Sequence, residues 1–135
     1  MIGLFIITHE TVGEAYRSLA KHFFPATPEY LHIFGVLPDE SPEVILARVQ
    51  AWARTSPFED ILVMTDIFGA TPCNIAQKMF YCGKKIALLT GLNAPMAIKA
   101  IQYAPQRDDL KAFSEEVRQA AVDGILLFDK DNQPC

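Results

Sequence analysis

The chain has few cysteines and no paired-cysteine motif. Its three cysteines, Cys73, Cys82 and Cys135, form no CxxC pair and are odd in number. A disulfide framework and a zinc knuckle both need cysteines in even or closely spaced sets, so the sequence argues against both. A reducing compartment such as the cytoplasm is therefore the expected setting.

The chain also lacks a cluster of basic residues. Its 12 Lys and Arg residues are outnumbered by 16 Asp and Glu residues, which gives a net charge of -4 at pH 7. Nucleic-acid-binding domains carry a basic patch that attracts the phosphate backbone. We therefore expect no nucleic-acid partner.

No hydrophobic run in the sequence approaches the length of about 20 residues that a membrane-spanning helix needs. The start, MIGLFIITHE, is apolar but short, carries no positive leader and runs into His9 and Glu10. Such a start is more typical of a buried strand than of a signal peptide. We expect no direct membrane insertion.

Glycine-rich catalytic and nucleotide-binding loops are missing as well. No two of the seven glycines are two or four positions apart, which excludes GxGxxG and GxSxG, and no GxxxxGK[ST] occurs. The sequence therefore has no dinucleotide loop, no nucleophile elbow and no P-loop.

What is present is an alternation of apolar runs with segments of helical periodicity. Strands are predicted from the runs IGLFII, YLHIFGV, DILVMTD and KKIALLT. The alternation predicts an α/β fold, a three-layer sandwich with a central, mostly parallel sheet and helices on both faces. The order 2-1-3-4 is the hypothesis that we adopt for the strands. The predicted domain covers residues 1–130, followed by a tail over residues 131–135.

Several helix boundaries can be predicted from capping residues. Ser41 and Pro42 are suited to start one helix, and Thr71 and Pro72 to start another as N-cap and first helical residue. An amphipathic helix is predicted over residues 108–123, and the run GILLF that follows favours a short C-terminal edge strand.

Candidate site residues follow three of the predicted strands. His9 comes after the first strand, Asp66 ends the third, and Leu92 and Asn93 follow the fourth. Ligands of open parallel sheets bind beyond the carboxyl ends of the strands. In the order 2-1-3-4 the first and third strands are neighbours about 5 Å apart, so His9 and Asp66 are expected to touch.

A carboxylate that accepts a hydrogen bond from one imidazole nitrogen keeps the ring proton on that nitrogen. The other nitrogen is then unprotonated, as a nucleophile requires. In the stretch GATPCN, Gly69 and Ala70 allow a tight turn, and the free amides from Thr71 to Cys73 suit an anion such as phosphate. The alternatives are that His9 has no special role and that Thr71 and Pro72 only start a helix. Without a nucleotide loop, a phosphoryl group is expected to arrive on another carrier.

The sequence resembles the mannose-class IIA components of the bacterial phosphoenolpyruvate-dependent sugar phosphotransferase system. The similarity rests on IGLFIITHE at the start, TDIFGATPCN in the middle and GLNAPM at 91–96, and it covers nearly the whole chain. It implies that His9 accepts phosphate from the phosphocarrier protein HPr and passes it to a IIB component. It also implies that Asp66 orients the histidine and that Thr71, with the helix-start amides, binds the phosphoryl group.

The resemblance further implies a homodimer in which the GILLF strand crosses to the partner's sheet. Phe68, Leu92, Asn93 and Pro95 are candidates for the docking face around His9, with ordinary packing as the alternative. No metal or other cofactor is expected.

The sequence departs from the family pattern at two positions of the site. Glu10 stands where the family usually has glycine, and Ala70 replaces a common second glycine. The 135 residues also include no IIB domain, so a regulatory phosphohistidine protein that serves no sugar uptake is a second hypothesis.

Two further hypotheses involve Cys73. A helix start can lower a thiol pKa, so a Cys73-based hydrolase is an alternative, although cysteine is commonly a small buried residue. A zinc site made of His9, Asp66 and Cys73 is disfavoured by the scattered spacing of the three residues.

Overall fold

A computed structural model of the chain, which describes residues 1–134, contains four strands and five α-helices. The strands are β1 (Gly3–His9), β2 (Leu31–Val36), β3 (Asp60–Thr65) and β4 (Lys85–Leu89). The helices are α1 (Glu10–Phe23), α2 (Pro42–Thr55), α3 (Thr71–Lys78), α4 (Ala94–Tyr103) and α5 (Leu110–Asp123), with short 3-10 helices at Met79–Tyr81 and Ala104–Gln106. None of the helices described is both long and apolar enough to cross a membrane.

The strands form one sheet in the order β2-β1-β3-β4, and every neighbouring pair is parallel. The predicted α/β fold and strand order are therefore confirmed. His9 pairs in register with Val36, and Ile7 pairs with Thr65. Because all carboxyl ends meet at one edge, His9 and the residue after Thr65 lie side by side.

Helices cover both faces of the sheet, as a three-layer sandwich requires. Leu4 and Ile6 of β1 pack in a core with residues of α1, α4 and α5, whereas Phe5 and Ile7 pack in a second core with residues of α2 and α3. Alternate residues of β1 thus enter opposite cores. This explains why the strand is apolar without interruption.

Two helices begin close to the predicted residues. Helix α2 starts at Pro42 as predicted, although the Ser41 hydroxyl donates to Glu43 instead of capping the helix. Helix α5 starts at Leu110, not at 108, because the Asp109 carboxylate accepts a hydrogen bond from the amide of Ala112.

The predicted N-cap of α3 is wrong by one residue. Thr71 is the first residue of α3, and Ala70, whose backbone is extended, holds the N-cap position. The first helical hydrogen bond runs from the Asn74 amide to the Ala70 carbonyl at 3.0 Å. Ala70 offers no side-chain oxygen, so the cap is made by the backbone alone.

The predicted C-terminal edge strand does not form within the chain. Residues 125–128, which follow Gly124, have no regular structure, and their apolar side chains are 48–84% exposed. A strand needs a neighbour to satisfy its backbone groups, and within residues 1–134 this segment pairs with no strand of the sheet. The predicted tail over residues 131–135 ends at Cys135, which lies outside the described residues.

One outer edge of the sheet is partly covered by α1. The guanidinium group of Arg17 donates a hydrogen bond to the Ile33 carbonyl on β2 at 3.2 Å. Arg48 of α2 lies over the ring of Phe34, its guanidinium carbon 4.8 Å from the ring centroid. Both cations therefore lie along the β2 side of the molecule.

Candidate functional site

The site is built on a contact between the ends of two neighbouring strands. The ring Nδ1 of His9 lies 2.7 Å from Asp66 Oδ2, and the backbone amide of His9 donates to the same oxygen at 3.1 Å. The side chain of His9 is 46% exposed, whereas that of Asp66 is 7% exposed. The contact predicted from the strand order is therefore present, with the acid below and the ring facing solvent.

Asp66 is held in its ionised form. Burial acts to raise the pKa of Asp66, but hydrogen bonds from the ring and amide of His9, with a further bond from the Ile67 amide, lower it below its ordinary value. An ionised carboxylate can only accept hydrogen bonds, so His9 Nδ1 carries the proton. In the neutral ring the lone pair is then on Nε2.

The start of α3 lies beside the histidine. His9, Thr71 and Pro72 line one cavity of about 420 Å³, together with residues of the loop that follows β2. Pro72 has no amide hydrogen, and the amides of Thr71 and Cys73 precede the first helical hydrogen bond of α3. The cavity thus meets the positive end of a helix, a suitable place for an anion.

A second, larger cavity of about 760 Å³ lies on the α1 side of His9. Its walls include Tyr16, Ile67 and Leu92 beside His9 and Asp66. Burial, and to a smaller extent the charge of Asp66, raises the pKa of Tyr16. The phenol therefore stays neutral beside the carboxylate.

The remaining predicted residues differ in their roles. Gly69 has a positive φ of 88°, which supports the predicted tight turn before α3. Phe68 is 72% exposed and available for contact with a partner. Cys73 is fully buried, so its thiol cannot meet a ligand and only its backbone amide is left to contact one.

Two predicted docking residues have structural tasks within the chain, and their docking role stays a prediction. The side chain of Asn93 accepts a hydrogen bond from Met96 and donates one to Ala121, so it caps α4 and ties that helix to α5. Pro95 is half-buried and lies close to Gly124, where an added Cβ would collide with its ring. Neither residue lines the cavities around His9.

Sequence reasoning missed the loop after β2 and the side of α1. Val36 and Pro38 line both cavities at His9, and Glu40 lines the smaller one. The register of β2 against β1 would have placed Val36 beside His9. Tyr16 recurs at helical spacing with the apolar residues of α1, and nothing in that periodicity marks contact with a cavity.

Known proteins share this sequence pattern and fold. A sequence model of the family EIIA-man, described as PTS system fructose IIA component, matches residues 3–118. The PTS system mannose-specific EIIAB component of Escherichia coli (strain K12) is 24% identical over 124 residues, which are 91% of this chain and 37% of that protein. This chain thus spans little more than a third of the length of that relative.

Solved structures extend the comparison. The phosphotransferase system component EIIA from Streptococcus agalactiae aligns with a TM-score of 0.78 at 25% identity, over 93% of this chain and 96% of that one. A mannose/sorbose specific IIA subunit from Enterococcus faecalis aligns with a TM-score of 0.79 at 19% identity, over 94% of each chain, and shows the same fold. Together with the family match over most of its length, this likeness shows that the chain belongs to the EIIA-man family of phosphotransferase system IIA components.

Proposed function

We propose that the protein is a cytoplasmic phosphocarrier in which His9 accepts a phosphoryl group from phospho-HPr and passes it to a IIB component. The observation that carries the proposal is the hydrogen bond from His9 Nδ1 to the ionised Asp66. It leaves Nε2 as the free nucleophilic atom of a half-exposed ring. Family membership supports the same role.

The transfer is an in-line displacement between two histidines. The lone pair of His9 Nε2 attacks the phosphorus, and the P–N bond of the donor breaks with its electron pair returning to the donor nitrogen. A donor in its imidazolium form leaves as neutral imidazole. His9 becomes the cationic phosphoimidazole, and its Nδ1 proton stays between the ring and Asp66, whose charge stabilises the cation.

The start of α3 supplies the electrostatic part of the reaction. The free amides of Thr71 and Cys73 and the Thr71 hydroxyl are available to bind the phosphoryl oxygens, while the turn at Gly69 and Ala70 brings the chain into the helix. Phosphoryl transfer depends on positioning and charge stabilisation more than on covalent steps by the protein. Hydrogen-bond donors fixed at the start of α3 would position the phosphoryl group and stabilise its charge.

Exposed apolar side chains around His9 provide the docking face for the partner proteins. Ile67 and Phe68 are 57% and 72% exposed, and Leu92 lines the larger cavity at His9. Large exposed apolar residues that cluster around a reactive group are typical of protein contact sites. HPr and the IIB component would use this face in turn.

Residues 125–128 support the homodimer. They expose four consecutive apolar side chains, and β4 is the edge strand on the side of α5. Pairing of this segment with the sheet of a second copy would satisfy its backbone groups and bury those side chains.

The test is phosphorylation of the purified protein by phosphoenolpyruvate, enzyme I and HPr. The wild-type protein should acquire an acid-labile phosphate, and His9→Ala should acquire none. His22→Ala, which changes an exposed histidine on α1, is the matched control and should be labelled like the wild type. Label on His9→Ala would overturn the proposal.

The same experiment separates the other two hypotheses. Adding a mannose-class IIB protein should remove the label, whereas a regulatory phosphohistidine protein would retain it. A hydrolase with Cys73 as nucleophile is not proposed, since the thiol is fully buried. Cys73→Ser should therefore still accept phosphate.

A further inference from the structure

Carboxylates, and no lysine or arginine, line the two cavities that meet at His9. Within residues 1–134, the larger cavity has Glu10 and Asp66 in its walls, and the smaller one has Glu40. A phosphoryl group carries close to two negative charges at neutral pH. On His9 it would meet the positive end of α3 and the imidazolium ring, but no cationic side chain in these walls.

Two of the three carboxylates are compensated by neighbouring donors. Asp66 accepts hydrogen bonds from His9 and Ile67. Glu40 accepts from the Leu37 amide at 2.9 Å and from the guanidinium group of Arg48 at 3.1 Å. Their charges are thus partly balanced before any phosphate arrives.

Glu10 is the exception. Among residues 1–134 its carboxylate forms no hydrogen bond and no ion pair. Glu10 also borders a groove that contains Arg17 and Arg48, but Arg17 bonds the Ile33 carbonyl and approaches Glu14, and Arg48 pairs with Glu40. Within residues 1–134, the charge next to His9 is therefore not paired with a cationic side chain.

The backbone of Glu10 is closely packed next to the site. Glu10 follows His9 directly and is the first residue of α1. A Cβ added to Gly35 of β2 would lie 2.8 Å from the Glu10 Cα and 3.4 Å from its Cβ and Cγ. This packing holds the root of the side chain next to His9, and Glu10 lines the larger cavity together with that residue.

We propose that Glu10 raises the phosphoryl-transfer potential of phosphorylated His9, so that the protein passes phosphate on readily and stores it poorly. The inference deepens the proposed phosphocarrier function and rests on it. Repulsion between the carboxylate and the phosphoryl group acts only when His9 carries phosphate. It therefore lowers the share of phosphate on His9 and raises the share on HPr or the IIB component. Such a bias suits relay between proteins.

The test is the equilibrium division of phosphate between HPr and this protein. Labelled phospho-HPr, freed of enzyme I and phosphoenolpyruvate, is mixed with each variant, and the label on both proteins is measured at equilibrium. For Glu10→Gln the equilibrium constant for loading should rise on the order of 3- to 10-fold, as expected for one removed charge near the surface. The rise should shrink with added salt.

Glu29→Gln is the matched control, because it removes the same charge from an exposed residue just before the amino end of β2, opposite the His9 edge. Its equilibrium constant should equal that of the wild type. An acid in the first turn also stabilises α1 through the helix dipole, but that effect is common to the loaded and unloaded forms and leaves the division unchanged.

Three results would overturn the inference. Equal loading of Glu10→Gln and the wild type would show that the carboxylate does not act on the phosphate. An equal rise for Glu29→Gln would assign the effect to net charge. A wild-type protein that takes no label from phospho-HPr would remove the proposed function together with the inference, whereas the first two results leave that function intact.

Discussion

One oxygen of Asp66 accepts hydrogen bonds from both the ring and the backbone amide of His9, at 2.7 and 3.1 Å. The same carboxylate thus fixes the end of β1 and the orientation of the imidazole. Since Asp66 Oδ1 is held by the Ile67 amide, the acid itself has little freedom to turn. The imidazole is positioned by the junction of two strands.

Replacing Asp66 should strongly slow phosphate transfer. In Asp66→Asn the side-chain amide can donate to His9 Nδ1, which favours the tautomer with a protonated Nε2 and removes the charge that stabilises the phosphorylated ring. The initial rate of label transfer from phospho-HPr should fall about 100-fold or more. Asp60→Asn, at the other end of β3, is the control and should keep the wild-type rate.

Asp66 should also make stability depend on pH. Its pKa is lowered in the folded protein from the ordinary value of 3.8, so it contributes stability above that value and loses the contribution as pH falls through the lower folded pKa. The difference in unfolding free energy between wild type and Asp66→Asn, from urea denaturation, should be constant near pH 5 and shrink below about pH 4. A constant difference down to pH 2.5 would contradict this.

Thr71 should matter for transfer and not for stability. Its side chain is exposed and makes no hydrogen bond among residues 1–134, so Thr71→Val should change the unfolding free energy by less than about 0.5 kcal/mol. The rate of phosphate acceptance should fall about tenfold, since one donor to the phosphoryl group is lost. Thr71→Ser should restore most of the rate, and Thr27→Val, in an exposed loop, should have no effect.

The exposed C-terminal segment should decide the oligomeric state. Leu126 and Leu127 are 67% and 84% exposed, so replacing both by Asp should leave the fold of one chain intact while preventing burial in a partner. Light scattering after gel filtration should show a dimer for the wild type and a monomer for the variant. Lys130→Asp, which changes the net charge by the same two units, should remain dimeric; a monomeric wild type would refute the assignment.

Much of the site could be predicted because the topology of a parallel sheet constrains where strands end. The apolar runs located the four strands, and the order 2-1-3-4 placed His9 beside Asp66 before any side chain was seen. That prediction depends only on the two strand ends being neighbours, and not on how side chains pack.

The features that were missed depend on segments distant in sequence. Tyr16 and Glu40 border the cavities at His9 because α1 and the loop after β2 pack there, which periodicity does not report. The GILLF run has a strand-like composition and pairs with no other strand within residues 1–134, so its predicted pairing with a second copy stays a prediction. The exact start of α3 depends on backbone geometry at Ala70, which its sequence does not indicate.

The hydrogen bond from Arg17 to the Ile33 carbonyl makes the two edges of the sheet unequal. An open sheet with two free edges could grow without limit into a fibre, each copy adding a strand to the next. On the β2 side, a guanidinium group of the neighbouring helix already occupies one backbone acceptor of the edge strand. If the proposed homodimer adds strands on the β4 side alone, its assembly ends at two copies.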